Sequence, residues 1–396
     1  MNNLLQIIGR SNPLFENAYK LLEKELYEQL CNSRILVVGA AGSIGQAVTK
    51  ELFKFAPKCL HAIDISENNL VELVRQIRST SGYTTEDFLT FCIDVGSLEF
   101  DVFIQNQKPY DYIFNLSALK HVRSEKDPFT LMRMIKTNVL NSVKLHNIND
   151  TMSNSRYFCV SSDKAADPEN LMGATKRIME LFAFRDISKN HASMARFANV
   201  AFSDGSLLHG FQNRINDKQP ITAPSDIMRY FITPKEAAQL CILSAVTANN
   251  GEIYFPIAPK ELKPIKFSDI AINYLEYRGY EPVLCDDENE ARNFFVSHSH
   301  QDNKYPCLFF CSDTTGEKSL EQFYTQDEKI ITNRMKNIGI VKPDFKIDEK
   351  RLAEFVTEIN NLRLGNWNKI DLLNAIQKLV PNMKYEDHGK YLDGKM

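Results

Sequence analysis

The sequence holds no run of about 18 apolar residues of the kind that crosses a bilayer. Its opening, MNNLLQIIGRSNPLFENAYK, lacks the basic start, the long apolar stretch and the small-residue cleavage site of a secretory signal. These absences lead to the expectation of a cytoplasmic protein that neither spans a membrane nor leaves the cell. Net charge is also lacking: −3 over 396 residues offers no polyanion-binding surface. Nucleic acid is therefore not an expected partner, although a local basic pocket for a phosphate or diphosphate remains open. No internal repeat and no low-complexity tract is present. Eight cysteines, at positions 31, 59, 92, 159, 241, 285, 307 and 311, are scattered, several within apolar runs such as RYFCVSS. A buried thiol there behaves as a small hydrophobe, so the cysteines imply a reducing compartment. Cys307 and Cys311 form the one close pair, shortly after His298–His300, but the spacing matches no zinc-ligand pattern, and no metal is expected.

What is present is an ordinary globular composition, 43% apolar and 24% charged, in a chain long enough for a large core. Residues 14–31 place Leu14, Tyr19, Leu22, Leu26 and Leu30 at helical spacing, which predicts an amphipathic helix in an N-terminal extension, residues 1–33. It would serve as a strut packed on the body or as a subunit contact. From Arg34 the pattern alternates: RILVVG, CLHAID, FLTFCIDV, YDYIFNLSA and RYFCVSS are strand-like, with helical segments between them. Continuous apolar strands separated by helices predict an α/β fold, a doubly wound parallel sheet covered on both faces, of the Rossmann type. This domain is expected over 34–200, with a smaller mixed substrate-binding region over 201–340 and a helical C-terminal extension over 341–396. The acidic stretch CDDENEAR is expected to be a solvated helix start.

VVGAAGSIGQAV sets Gly39, Gly42 and Gly45 between a buried strand and a helix. Glycines there permit a tight turn and let a pyrophosphate approach backbone amides at the helix N-terminus. Three spaced glycines alone are a weak signal; here the strand before, the helix after, and Asp64 closing the next strand 19 residues past Gly45 supply the context. A carboxylate at that point accepts hydrogen bonds from ribose hydroxyls and repels a 2′-phosphate, which favours NAD over NADP. Asp94 is expected either at the adenine edge or as a turn former. Ser43, Ile44, Val95 and Ala118 complete the expected cofactor-binding set.

Together GAAGSIG, NLSALKHVRSEKDP, KTNVLNS, SSDKAADPENLMGATKR, RFANVAFSDGSLLHGF, MRYFITPKEA and DTTGEKSLEQFY resemble the extended short-chain dehydrogenase/reductases of polysaccharide biosynthesis. More narrowly, they resemble the nucleotide-sugar 4,6-dehydratases, over about residues 34–320. Members of that family place a tyrosine four residues before a lysine on one helix face; here Met172 holds the tyrosine position and Lys176 keeps the second. A thioether has no proton to exchange, so Met172 is a packing residue. The resemblance implies a hydride taken from sugar C4, loss of water across C5 and C6, and hydride return to C6. It further implies Asp163 as the acid at the 6-hydroxyl, Lys164 as the base at C5, and Lys176 on the nicotinamide ribose. That chemistry calls for a raised Asp163 pKa and a lowered Lys164 pKa. Ser162 would contact substrate near C4, and the C4 hydroxyl proton would pass to Asp163 or to a relay through water or Ser162.

The methionine version resembles the branch that retains configuration at C5, and here it looks like a soluble representative acting on UDP-N-acetylglucosamine. Lys120 and His121 would lie beside the site, Asn138 would order a catalytic water or Lys176, and Asn199 would meet the sugar-nucleotide phosphate. Ser206 and Arg229 would reach the diphosphate or nucleotide ribose. The TGEK loop, Thr315–Lys318, resembles a family loop near the nucleotide and carries no assigned role. A homo-oligomer is expected. Still open are GDP-N-acetylglucosamine as substrate, a C5-inverting dehydratase, a 4-epimerase and a catalytically silent NAD-binding module.

Overall fold

The computed structural model describes residues 2–152, 154–185, 191–258, 260–297, 303–314, 316, 318–344 and 348–390. His298–His300, Thr315 and Glu317 lie outside the described residues. The central feature is a nine-stranded sheet. Its first strands are β1 (Arg34–Val38), β2 (Cys59–Asp64), β3 (Asp87–Cys92), β4 (Tyr112–Asn115), β5 (Arg156–Ser162) and β6 (His191–Phe197). They run parallel in the order 3-2-1-4-5-6. A seventh parallel strand, Glu252–Pro256, pairs with β6, and the antiparallel strands Ile338–Lys342 and Lys329–Met335 finish that edge. β1 and β4 are almost wholly buried, as strands covered by helices on both faces must be. The α/β, Rossmann-type expectation holds.

The expected division at residue 200 does not divide the sheet, because strands from 252–256 and 329–342 complete it. What the 201–340 region adds is a three-stranded parallel sheet, Glu281–Leu284, Lys304–Phe310 and Ile221–Pro224. It shares an apolar core with the helices Leu207–Asn216 and Phe267–Tyr277. The acidic stretch does open a helix, Glu288–Ser297, with Asp287 accepting from the amides of Asn289 and Glu290.

The N-terminal helix differs from the single one expected over 14–31: it is two, Glu16–Leu21 and Glu23–Leu30, broken at Leu22, where the backbone leaves the helical region. The break still keeps Leu14, Tyr19, Leu26 and Leu30 in the main core. Just before it, Arg10 forms a buried pair with Glu236, whose carboxylate also accepts from the Leu14 and Thr233 amides. The extension thus packs on the body. At the other end, the helices Glu349–Leu364 and Lys369–Leu379 build a second core with the helices Pro128–Ile135 and Leu171–Ala183.

Candidate active site

In a sheet of order 3-2-1-4-5-6, the connections leave β1 and β4 in opposite directions, and a crevice opens beyond their carboxyl ends. A cleft of about 280 Å³ lies there, lined by Gly39, Gly42, Asp64, Asp94, Val95 and Ala118 among others. Gly39 has φ +75°, and a Cβ on it would stand 2.5 Å from the Ser117 amide nitrogen. A Cβ on Gly45 would lie 1.9 Å from the Gly39 carbonyl oxygen. Glycine at these two positions lets the turn close against β4 while the helix Ser43–Phe53 aims its N-terminus at the cleft, a cradle that fits a pyrophosphate.

Asp64 ends β2 with Oδ2 accepting from the Ala41 amide at 2.9 Å and Oδ1 from the Ser66 amide at 2.9 Å. Asp94 combines the turn-forming position with a place at the cleft: it accepts from the Gly96 amide at 2.7 Å and lines the opening, where Lys136 holds it at 2.9 Å. Burial would raise its carboxyl, but the Gly96 amide and the Lys136 and Arg133 cations hold it below the usual range. Ser43 and Ile44 put their side chains elsewhere. Ser43 Oγ accepts from the Asp204 amide at 2.7 Å, and Ile44 packs on the main core. Arg133 and Lys136 also line the cleft, from the helical stretch after Pro128, where no motif in the sequence marks them.

At the carboxyl end of β5 the chain turns through Asp163–Ala165 into the helix Leu171–Ala183. Ser162 Oγ donates to Asp163 Oδ1 at 2.9 Å, and the Lys164 amide donates to the same oxygen at 2.9 Å. Lys164 Nζ lies 3.2 Å from Asp163 Oδ1 and 3.5 Å from Glu321 Oε1. Here the lowered pKa expected for Lys164 is not found. Burial pulls its ammonium down, yet Asp163 and Glu321 outweigh burial and hold it above the usual lysine range. The second carboxylate arrives from a remote segment, which spacing around SDK does not reveal.

Met172 is 4% exposed and belongs to the second core with Leu131, Ile135 and Leu171, as a packing residue would. Lys176, four residues on, is also buried; Nζ donates to the Val160 carbonyl at 2.9 Å, and burial lowers it to about 8. Asn138 is engaged with the Leu119 amide and carbonyl at 2.9 and 3.0 Å and with Thr175 Oγ1 at 3.0 Å. A π-turn over Lys136–Leu140 inserts one residue into the helix and aims that side chain at the loop after β4.

Lys120 Nζ donates to Ser203 Oγ at 3.2 Å, while His121 lies against Gly205, so the loop after β4 meets the loop after β6. Burial lowers the pKa of both Lys120 and His121. Ser206 caps the helix Leu207–Asn216 by accepting from the His209 amide. Asn199 begins a two-residue strand paired with Phe231–Ile232. Arg229 is 4% exposed and donates to the Met228 and Ser319 carbonyls, where its charge bears on both Lys164 and Glu321. Lys318 gives the TGEK loop a structural role, pairing with Asp167 and Glu169 and tying the segment that carries Glu321 across the turn after Lys164. Away from the cleft, Cys59, His61 and Asp87 cluster at the opposite side of the sheet, His61 engaging Tyr110 Oη at 2.7 Å and Asp87 at 3.3 Å, with Arg34 3.6 Å from Asp87.

A family profile described as "Polysaccharide biosynthesis protein" matches residues 35–343. Capsular polysaccharide biosynthesis protein CapD of Staphylococcus aureus is 32% identical over 257 residues, 63% of this chain and 42% of CapD. The match thus spans less than half of that relative's length. Among solved structures, Pen from Bacillus thuringiensis superposes with a TM-score of 0.65 at 19% identity, covering 84% of this chain and 98% of Pen. The Bordetella bronchiseptica enzyme WbmF, solved in complex with NAD+ and UDP, gives 0.51 at 16% identity, covering 64% of this chain and 80% of WbmF. At these identities the two structures speak to the fold. No helix among the described residues is long and apolar enough to cross a membrane.

Proposed function

Because the chain belongs to the polysaccharide biosynthesis protein family, we propose that it is a nucleotide-sugar 4,6-dehydratase that binds NAD and acts on UDP-N-acetylglucosamine, retaining configuration at C5. The observation that carries this reading is the Ser162–Asp163–Lys164 cluster at the end of β5, with a thioether where a hydroxyl acid/base would stand. An acid and an amine side by side suit elimination, which breaks a C5–H and a C6–O bond, whereas inversion at C4 alone breaks neither. Gly39, Gly42, Asp64 and the N-terminus of the helix Ser43–Phe53 would hold the dinucleotide. Bound there, it would accept a hydride from C4 and later give one to C6.

The chain's own groups then handle protons. Ser162 Oγ, already bonded to Asp163, passes the C4 hydroxyl proton to that carboxylate. Asp163 delivers the same proton to the 6-hydroxyl as it leaves as water. Lys164 takes the C5 proton and returns one to the same face, which retains the configuration. Protons on Asp163 are therefore balanced within one turnover, and Met172 has no part in them.

The test is incubation of the protein with UDP- or GDP-N-acetylglucosamine and NAD in heavy water, followed by NMR of the sugar. The expected product is a 4-keto-6-deoxy sugar with deuterium at C5 and unchanged configuration. An inverted C5 would refute the branch, a C4 epimer without loss of water would mean an epimerase, and no change in either sugar would leave a silent binding module. Lys164→Ala is expected to abolish elimination.

A further inference from the structure

Glu321 is a buried carboxylate, 3% exposed, that the steps above leave unused. Among the described residues, the ion pair it makes is with Lys164, at 3.5 Å. Its segment is clamped on both sides. Before it, Lys318 is bonded to Asp167 at 3.0 Å, and Asn170 donates to the Gly316 carbonyl at 3.0 Å. After it, Arg196 donates to the Phe323 carbonyl at 2.9 Å and pairs with Glu328 at 2.7 Å, anchored in turn by Glu180 at 2.8 Å. Such fixing places a second carboxylate on the amine that the proposed elimination needs in its uncharged form.

We propose that Glu321 is the proton store of Lys164, taking the ammonium proton so that the amine can act at C5 and keeping it through the elimination. This rests on the dehydratase reading. The groups facing the pair are Asp163, Arg229 and Lys318. Burial pushes the Glu321 carboxyl up and Asp163 adds to it; Lys164, Arg229 and Lys318 oppose, and the net direction is upward. A carboxyl so placed accepts a proton that an exposed glutamate would refuse.

One proton moves from Lys164 Nζ to Glu321, leaving an amine and a carboxylic acid. The amine removes the C5 proton; the C5–H electron pair becomes the C5–C6 double bond while the C6–O bond breaks. Asp163 supplies the proton with which the hydroxyl departs as water. The hydride earlier lost by C4 reduces C6, and Lys164 returns a proton to C5, regenerating the amine. Glu321 touches no substrate atom in this sequence and is a positioning residue.

Because the charged and uncharged forms of the Lys164–Glu321 pair contain the same number of protons, the wild-type kcat is expected to be flat across neutral pH. In Glu321→Gln the ammonium must lose its proton to water. Its kcat should fall at least tenfold at pH 7 and then climb about tenfold per pH unit toward the wild-type value in alkali. Glu321→Asp, keeping a carboxylate, should restore part of the flat profile. A parallel loss at every pH would overturn the proposal, since a merely structural role lowers kcat without reshaping it. A second readout does not depend on turnover: in protein carrying 13C at lysine Cε, with Lys164 assigned by Lys164→Arg, the Lys164 titration should move down in Glu321→Gln. An unmoved titration overturns the pairing. If the wild type turns over neither UDP- nor GDP-N-acetylglucosamine, the dehydratase reading and the store both fall, even though the titration would still show the pair.

Discussion

At position 172 the thioether is enclosed by aliphatic neighbours and its backbone amide is bound to Glu125 at 2.7 Å, so the residue is fixed by packing and by its main chain. Leucine has a similar volume and no polar atom, and such swaps in a core cost less than about 1.5 kcal/mol. Met172→Leu is therefore expected to unfold within a few degrees of the wild type and to keep most of its turnover, as read by melting curves and by formation of the 4-keto product. Near-total loss of turnover in a folded variant would mean that sulfur has a part in the chemistry. The absence of an exchangeable proton at this position was legible in the residue type alone. The charge state of Lys164 was not, because it depends on Glu321, a carboxylate brought in from a segment distant in sequence. Asn138 shows the same limit: its place near the site was readable, while its commitment to Leu119 and Thr175 follows from a local π-turn that no spacing rule announces.

The helix Leu171–Ala183 carries Met172 and Lys176, and its N-terminus has two acceptors. Asn170 accepts from the Gly173 amide at 2.8 Å, an ordinary cap. Glu125, fully buried, accepts from the Met172 amide through Oε1, while Oε2 has no hydrogen-bond partner among the described residues. Burial is the main cause that raises its carboxyl, to about 7, against the pull of the Leu171 and Met172 amides and of Lys369; Asp387 pushes the same way as burial. The native state thus keeps a proton that the unfolded chain loses near pH 4.5, and this carboxyl's contribution to stability declines as pH rises from there to about 7, then levels off. The shift corresponds to about 3 kcal/mol. Glu125→Gln, which cannot ionise, is expected to match the wild type at pH 5 and to melt higher than it at pH 8. An equal melting-temperature difference between the two proteins at both pH values would show that the carboxyl is not carrying this dependence. The stretch NLSALKHVRSEKDP was recognisable as site sequence, but a dry carboxyl oxygen is a tertiary fact.

Across the whole molecule, the strands up to β5 were readable because each is a continuous apolar run bounded by turns. The place of the strands Glu252–Pro256, Lys329–Met335 and Ile338–Lys342 in the sheet is not legible in the sequence, because pairing between distant segments leaves no local period. The C-terminal helices are legible in the sequence, but their burial against the helix that carries Lys176 is not. That contact makes the second core part of the site's support. Phe355 is 2% exposed and its ring centroid lies 6.5 Å from that of Phe182 on the site helix. The single tryptophan, Trp367, lies between the two C-terminal helices and donates to the Pro128 carbonyl at 3.0 Å, so its fluorescence reports on this core. If the core and the sheet unfold as one unit, Trp367 fluorescence and far-ultraviolet circular dichroism should change at the same temperature. Phe355→Ala should move both together, at a cost of about 3–5 kcal/mol, whereas Leu364→Ala, 89% exposed, should stay within about 0.5 kcal/mol. A fluorescence transition that comes earlier than the dichroism in the wild type would make the C-terminal pair a separate unit, and the position of Lys176 would then owe nothing to it.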